Sequence, residues 1–92
     1  MIDLLKVPPK FQLGRLLATP GAIGLGIDFS PYLNRHVRGD WGDVDSEDWH
    51  RNDTSTEDGS RSVSAYQTAA GRIWIITEAD RSVTTVLLPS EY

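Results

Sequence analysis

Cysteine is absent from this chain, so neither a disulfide nor a thiolate metal site can form, and a reducing compartment suits it. Long apolar runs are absent too, and none approaches the ~20 residues that a bilayer-spanning helix needs. The opening MIDLLKVPPK has no cationic stretch followed by a long apolar one, so it does not read as a signal peptide. These features lead us to expect a cytoplasmic protein with no membrane association. Positive charge is scarce. Nine Lys and Arg face thirteen Asp and Glu, for a net charge of −4 and an isoelectric point near 4.9. Such a surface repels phosphates on average, which argues against direct binding of nucleic acid. Histidine is limited to His36 and His50, with no zinc-ligand spacing. The run DVDSE from Asp43 to Glu47 is no calcium loop, because Asp48 stands where the loop needs Gly and Thr54 where it needs a bidentate Glu. No metal and no cofactor is expected.

The 92 residues suit one domain, and 39% hydrophobic content allows a small core. Pro8-Pro9 blocks helix and ladder pairing, so residues 1–10 read as a flexible tail and 11–92 as a single α+β domain. FQLGRLLATP is undecided between a strand and a helical turn. Thr19-Pro20 and Ser30-Pro31 are helix starts, the first helix kept short by Gly21, Gly24 and Gly26. Tyr32, Leu33, His36 and Val37 fall at helical spacing, with Gly39 placed to stop that helix. After a tight GDWGD turn, Asp45 or Ser46 can cap a third helix running to about Thr56, anchored only by Trp49.

Three strands are expected at 61–68, 71–78 and 82–88, joined by turns at Ala69-Ala70-Gly71 and Asp80-Arg81-Ser82. The middle run, Ile73-Trp74-Ile75-Ile76, is apolar on both faces, as in the central strand of a covered sheet. Short N-terminal helices followed by a three-stranded antiparallel meander make the expected fold α+β.

Charge is unevenly placed. Residues 40–58 carry eight acids against Arg51 alone, a local −7, while the rest of the chain sums to +3. The default reading of such a run is a solvated helix face. The sharper reading is a docking surface made of Asp40, Trp41, Asp43, Asp45, Glu47, Asp48 and Trp49. Carboxylates spaced like phosphates could fill a basic groove on a nucleic-acid-binding partner, with Trp supplying the anchor. A competing constellation is His36 with Arg72, Arg81 and Thr84. A His on a helix, packed against a sheet bearing Arg and Thr, is the layout of small metal-independent ribonucleases of the RelE and barnase-like type. For both constellations the ordinary structural role outweighs the functional one.

At HVRGDWGDVDSEDWHRND and GRIWIITEADRSVTTVLLPSEY the chain resembles a family of small proteins of bacterial plasmids, integrated elements and phages. His36, Gly39, Asp40, Trp41 and Gly42 carry the first block, and Asn52 and Asp53 an Asn-Asp pair in the third helix. Tyr66, Ile73, Thr77, Arg81, Thr84 and Thr85 carry the strand block. The chain departs at GAIGLGIDF, where the family has a continuous Ala- and Leu-rich helix. The resemblance implies a mobile-element setting. With the charge pattern, it leads us to expect an inhibitor of a host defence complex, of anti-CRISPR or anti-restriction type. The ribonuclease is the alternative.

Overall fold

Two tight turns organise most of the sheet. The structure, a computed structural model, describes residues 8–92, so most of the expected tail lies outside the described residues. Strand β2 (Ser62–Thr68) turns at Ala69-Ala70 into β3 (Gly71–Thr77), which returns through the Asp80-Arg81-Ser82 turn to β4 (Val83–Leu87). Both pairings are antiparallel, with Tyr66 opposite Ile73 and Ile75 opposite Val86. The meander is therefore present, with β3 paired on both sides.

It is part of a larger sheet than the sequence led us to expect. RLLA forms strand β1 (Arg15–Ala18), which pairs parallel to β4 and gives a four-stranded mixed sheet of order β1-β4-β3-β2. The expected order of helices first, then strands, is corrected accordingly. The cause is tertiary: Thr84 donates its hydroxyl to the Leu13 carbonyl at 2.7 Å, and the Arg15 and Thr19 amides donate to Ser82 and Val86. No local periodicity in four residues could announce these bonds.

Side-chain caps open two of the three α-helices, and the second follows Phe29 with no side-chain cap. Thr19 accepts from the Ala22 amide and opens α1 (Pro20–Ile23), a single turn. Helix α2 (Ser30–Val37) follows, and α3 (Ser46–Asp58) begins at Asp45, whose carboxylate accepts from the Asp48 amide at 2.7 Å. It ends at Gly59, left-handed at φ 77°. Helix α3 is not held by Trp49 alone, as expected; its buried residues are Asn52 and Ser55. The Asn52 amide donates to the Val63 carbonyl and accepts from the Val63 amide, so it stands in for a neighbouring strand along the β2 edge. One residue pair further on, Ala65 donates to Trp41 O and accepts from Asp43 N. Gly42 lies against this edge at φ 74°, where a Cβ would collide with the Ala65 carbonyl oxygen. The β2 edge is thereby closed by the acidic segment.

The inner sheet face is divided. At one end Tyr66, Ile73, Ile75 and Val86 join Ala22 in the apolar core, with Phe29, Tyr32 and Leu33 packed on them. At the other end the register sets Ser62, Ser64, Thr77 and Thr84 side by side, all buried. On the outer face Ala65, Ile76 and Leu87 are buried too, which explains why β3 is apolar on both sides. Ile73 and Ile75 are both fully buried. Ile75→Ala should cost about 2–5 kcal/mol in chemical denaturation, by lost transfer energy plus a cavity. A loss below about 1 kcal/mol at both Ile73 and Ile75 would move the core elsewhere.

Candidate functional site

The acidic segment is built in two parts, and only one faces solvent. In the loop after α2, Asp40 is committed internally: it receives Arg35 through Nε at 2.7 Å and Nη2 at 3.3 Å, and its Oδ1 accepts the Gly42 amide. The Tyr66 hydroxyl donates to the Asp40 carbonyl at 2.5 Å, and burial pushes that hydroxyl's pKa up. Trp41 is fully buried. Its ring stacks on Phe11 at 6.2 Å, meets the His36 ring edge at 5.5 Å, and donates Nε1–H to Asp53 at 2.8 Å. The expected role of Trp41 as a partner anchor is therefore corrected. A glycine at positive φ on either side (Gly39 and Gly42) lets the loop fold the ring inward.

Beyond the loop the acids turn outward. Asp43 faces Arg72, with Asp43 Oδ2 3.6 Å from Nη1 and its carbonyl accepting Nη2–H at 3.0 Å. Asp45 is the N-cap, and Glu47 and Asp48 lie in the first turn, where the helix dipole favours anions. Both reach Arg51, at 3.7 and 2.8 Å, but Glu47 remains 85% exposed. Trp49 is half-buried and lines a shallow hollow with Val44, Ser46, His50 and Asp53. Glu57 and Asp58 occupy the last turn of α3, which carries no basic residue. Anions there oppose the helix dipole; Asp58 is offset by accepting the Ser60 amide and hydroxyl, whereas Glu57 breaks the local rule without an evident stabilising return.

On the other flank of α3, Trp74 and Tyr92 were missed as candidates. Their rings meet at 5.2 Å, the Arg61 guanidinium lies 5.3 Å over Tyr92, and a hollow of about 510 Å³ runs from there past Val63 to Asp48 and Arg51. The sequence held one sign of this, since Trp74 shares strand parity with the exposed Arg72 and Glu78.

The ribonuclease constellation resolves differently. His36, Arg81 and Thr84 do come together, but in the interior; Arg72 lies on the opposite face of β3. Thr84 donates to Leu13 O, so it accepts from Thr77 at 2.7 Å, and Thr77 accepts from His36 Nε2 at 2.9 Å. Nδ1 is left as acceptor for the Ser64 hydroxyl. This chain of hydroxyls fixes a neutral imidazole with its proton on Nε2. Burial, and secondarily the charge of Arg81, pull the His36 pKa down to about 3. Arg81 itself lies 4.8 Å over the Phe11 ring and donates Nη2–H to Ser55 O at 2.7 Å. A group that must meet a 2′-hydroxyl cannot do so from beneath Trp41, and the catalytic expectation for His36, Arg81 and Thr84 is corrected to a structural role.

Among the described residues, no three His, Asp or Glu side chains are placed to share a metal, and no helix is long and apolar enough to cross a membrane. Comparison with protein-family models, curated proteins and solved structures finds no match.

Proposed function

We propose that this chain is a mobile-element protein that acts by binding, setting the acidic helix α3 into a basic groove of a nucleic-acid-handling host protein. The concrete form is an inhibitor of a host defence complex, of anti-CRISPR or anti-restriction type. The observation that carries this reading is the surface of α3. Acids stand along its whole length, including Glu57 in the last turn where the dipole disfavours it, and the half-buried Trp49 borders them. Charge of one sign on a rigid helix steers association, and an aromatic at its border supplies burial that slows dissociation. A basic groove that releases counterions on binding nucleic acid releases them equally to a row of carboxylates. The binding surface is Asp43, Asp45, Glu47, Asp48 and Trp49, with Asp40 and Trp41 holding its base in place.

The test leaves the cap intact. Glu47→Lys with Asp48→Lys keeps Asp45, so helix content by circular dichroism should be unchanged. Against a host protein captured from bacterial lysate by the wild-type chain, the double variant should associate about tenfold more slowly at low salt. Its rate should also depend less steeply on salt. Rates that match the wild type at every salt concentration would reduce the acidic face to ordinary solvation.

A further inference from the structure

The two edges of the sheet are treated oppositely. Strand β2 is closed by Asn52, Trp41 and Asp43, as described above. Strand β1 is open. Arg15 and Thr19 aim their amides at β4, so ladder alternation turns the N–H and C=O of Leu16 and Ala18 away from the sheet. Among the described residues nothing pairs with that edge. Leu16 is 53% exposed and Leu17 42%, on a strand without Pro, bulge or inward-pointing charge. An open apolar edge of this kind is a template for another strand.

We infer that β1 pairs antiparallel with β1 of a second copy of this chain, about a twofold axis at Leu17, joining two sheets into one of eight strands. The register follows from which groups point outward. Leu16 and Ala18 of one copy exchange both backbone bonds with Ala18 and Leu16 of the other, which sets Leu17 against Leu17 in a non-hydrogen-bonded pair. The same register places Arg15 opposite Thr19 of the second copy. There the charges are complementary. Thr19 donates to the Glu91 carboxylate at 2.6 Å, so each Arg15 faces Glu91 of the second copy at both ends of the ladder. Arg15 forms no ion pair among the described residues. A foreign strand would satisfy the backbone, but only a second copy supplies both the matched leucine and the carboxylate. The acidic helix α3 lies beyond the far edge, so the pairing leaves two binding surfaces at opposite ends, outside β2 strands that are roughly 34 Å apart at strand spacing. A dimer of this form could engage two sites at once.

Because the chain has no cysteine, one introduced thiol reports the register. Directly opposed non-hydrogen-bonded residues have Cα atoms about 4.5 Å apart, within disulfide range. The two Leu16 positions would be roughly 8–9 Å apart, beyond it. The full chain should sediment at about twice the 10.2 kDa of one copy. Under mild oxidation, Leu17→Cys should become a disulfide-linked dimer, and Leu16→Cys at least tenfold less so. Leu17→Lys should sediment as a monomer with an unchanged circular dichroism spectrum, since the side chain it replaces is exposed. A wild type that stays monomeric from micromolar to millimolar concentration would overturn the inference. So would equal cross-linking at both positions, or a Leu17→Lys variant that remains dimeric.

Discussion

Trp41→Ala should lower the stability of the fold by about 3–5 kcal/mol, the usual cost of emptying a fully buried aromatic site. Few single changes in the chain should cost more. The ring is fully buried, contacts Phe11 and His36, and ties the loop to α3 through Asp53. Its loss opens a void beneath the segment that closes the β2 edge. Domains of this size have only about 5–15 kcal/mol in total, and each kcal/mol is worth about 4–8 °C. A fall in melting temperature of roughly 12–40 °C follows. Trp41→Phe keeps the stacked ring and loses the Nε1–H bond to Asp53, so it should cost distinctly less. If Trp41 were a surface anchor instead, Trp41→Ala would change stability by less than about 0.5 kcal/mol.

Acid should unfold the protein sooner than its carboxylates alone would require. His36 has an ordinary pKa of 6.5 and is held at about 3 in the fold. Protonation is thus easier in the unfolded chain, which binds more protons at every pH between those values. Stability is full above pH 6.5 and falls as pH drops toward 3, at roughly 1.4 kcal/mol per unit. By pH 4.5 about 2–3 kcal/mol should be gone. Asp28, Asp58, Asp80 and Glu91 have pKa values lowered by hydrogen bonds from serine, threonine and backbone donors. Their stabilisation is present above the ordinary carboxylate range near 4 and is lost only below it. Between pH 6.5 and 4.5 the slope belongs chiefly to His36. Denaturant melts across that window should show it in the wild type and a nearly flat profile in His36→Gln, whatever the variant's absolute stability. A wild type with constant stability from pH 6.5 to 4.5 would mean that His36 is reached by water in the fold.

The parts legible in the sequence were those written locally. Turn residues at Ala69-Ala70-Gly71 and Asp80-Arg81-Ser82, with the apolar run between them, marked the meander, and caps at Thr19 and Asp45 marked two helix starts. What stayed hidden depends on distant partners. Strand β1 exists because Thr84 and β4 bind it, and four residues of RLLA carry no period long enough to reveal this. His36 looked like a candidate base because nothing nearby in sequence marks Ser64 and Thr77 as its partners, 28 and 41 residues away. Trp41 sits among acids with no apolar neighbours, so its burial had no periodic signature; the paired glycines were the one available sign. Most of the residues in the two blocks on which the expectation of a mobile-element setting rested, among them His36, Trp41, Asn52, Thr77 and Thr84, are buried. Their chemistry is accounted for by the hydroxyl chain and the closed β2 edge. The binding proposal rests instead on the exposed acids between them.

Competition between this chain and nucleic acid for one host protein tests that proposal most directly. The host protein captured by the wild-type chain would be immobilised, loaded with labelled chain, and titrated with duplex DNA at fixed ionic strength. If α3 fills the groove that nucleic acid uses, DNA should displace the chain at concentrations tracking its own affinity for the host protein. The Glu47→Lys, Asp48→Lys variant should be displaced by less DNA than the wild type. A ternary complex, with both ligands bound at undiminished affinity, would contradict the account.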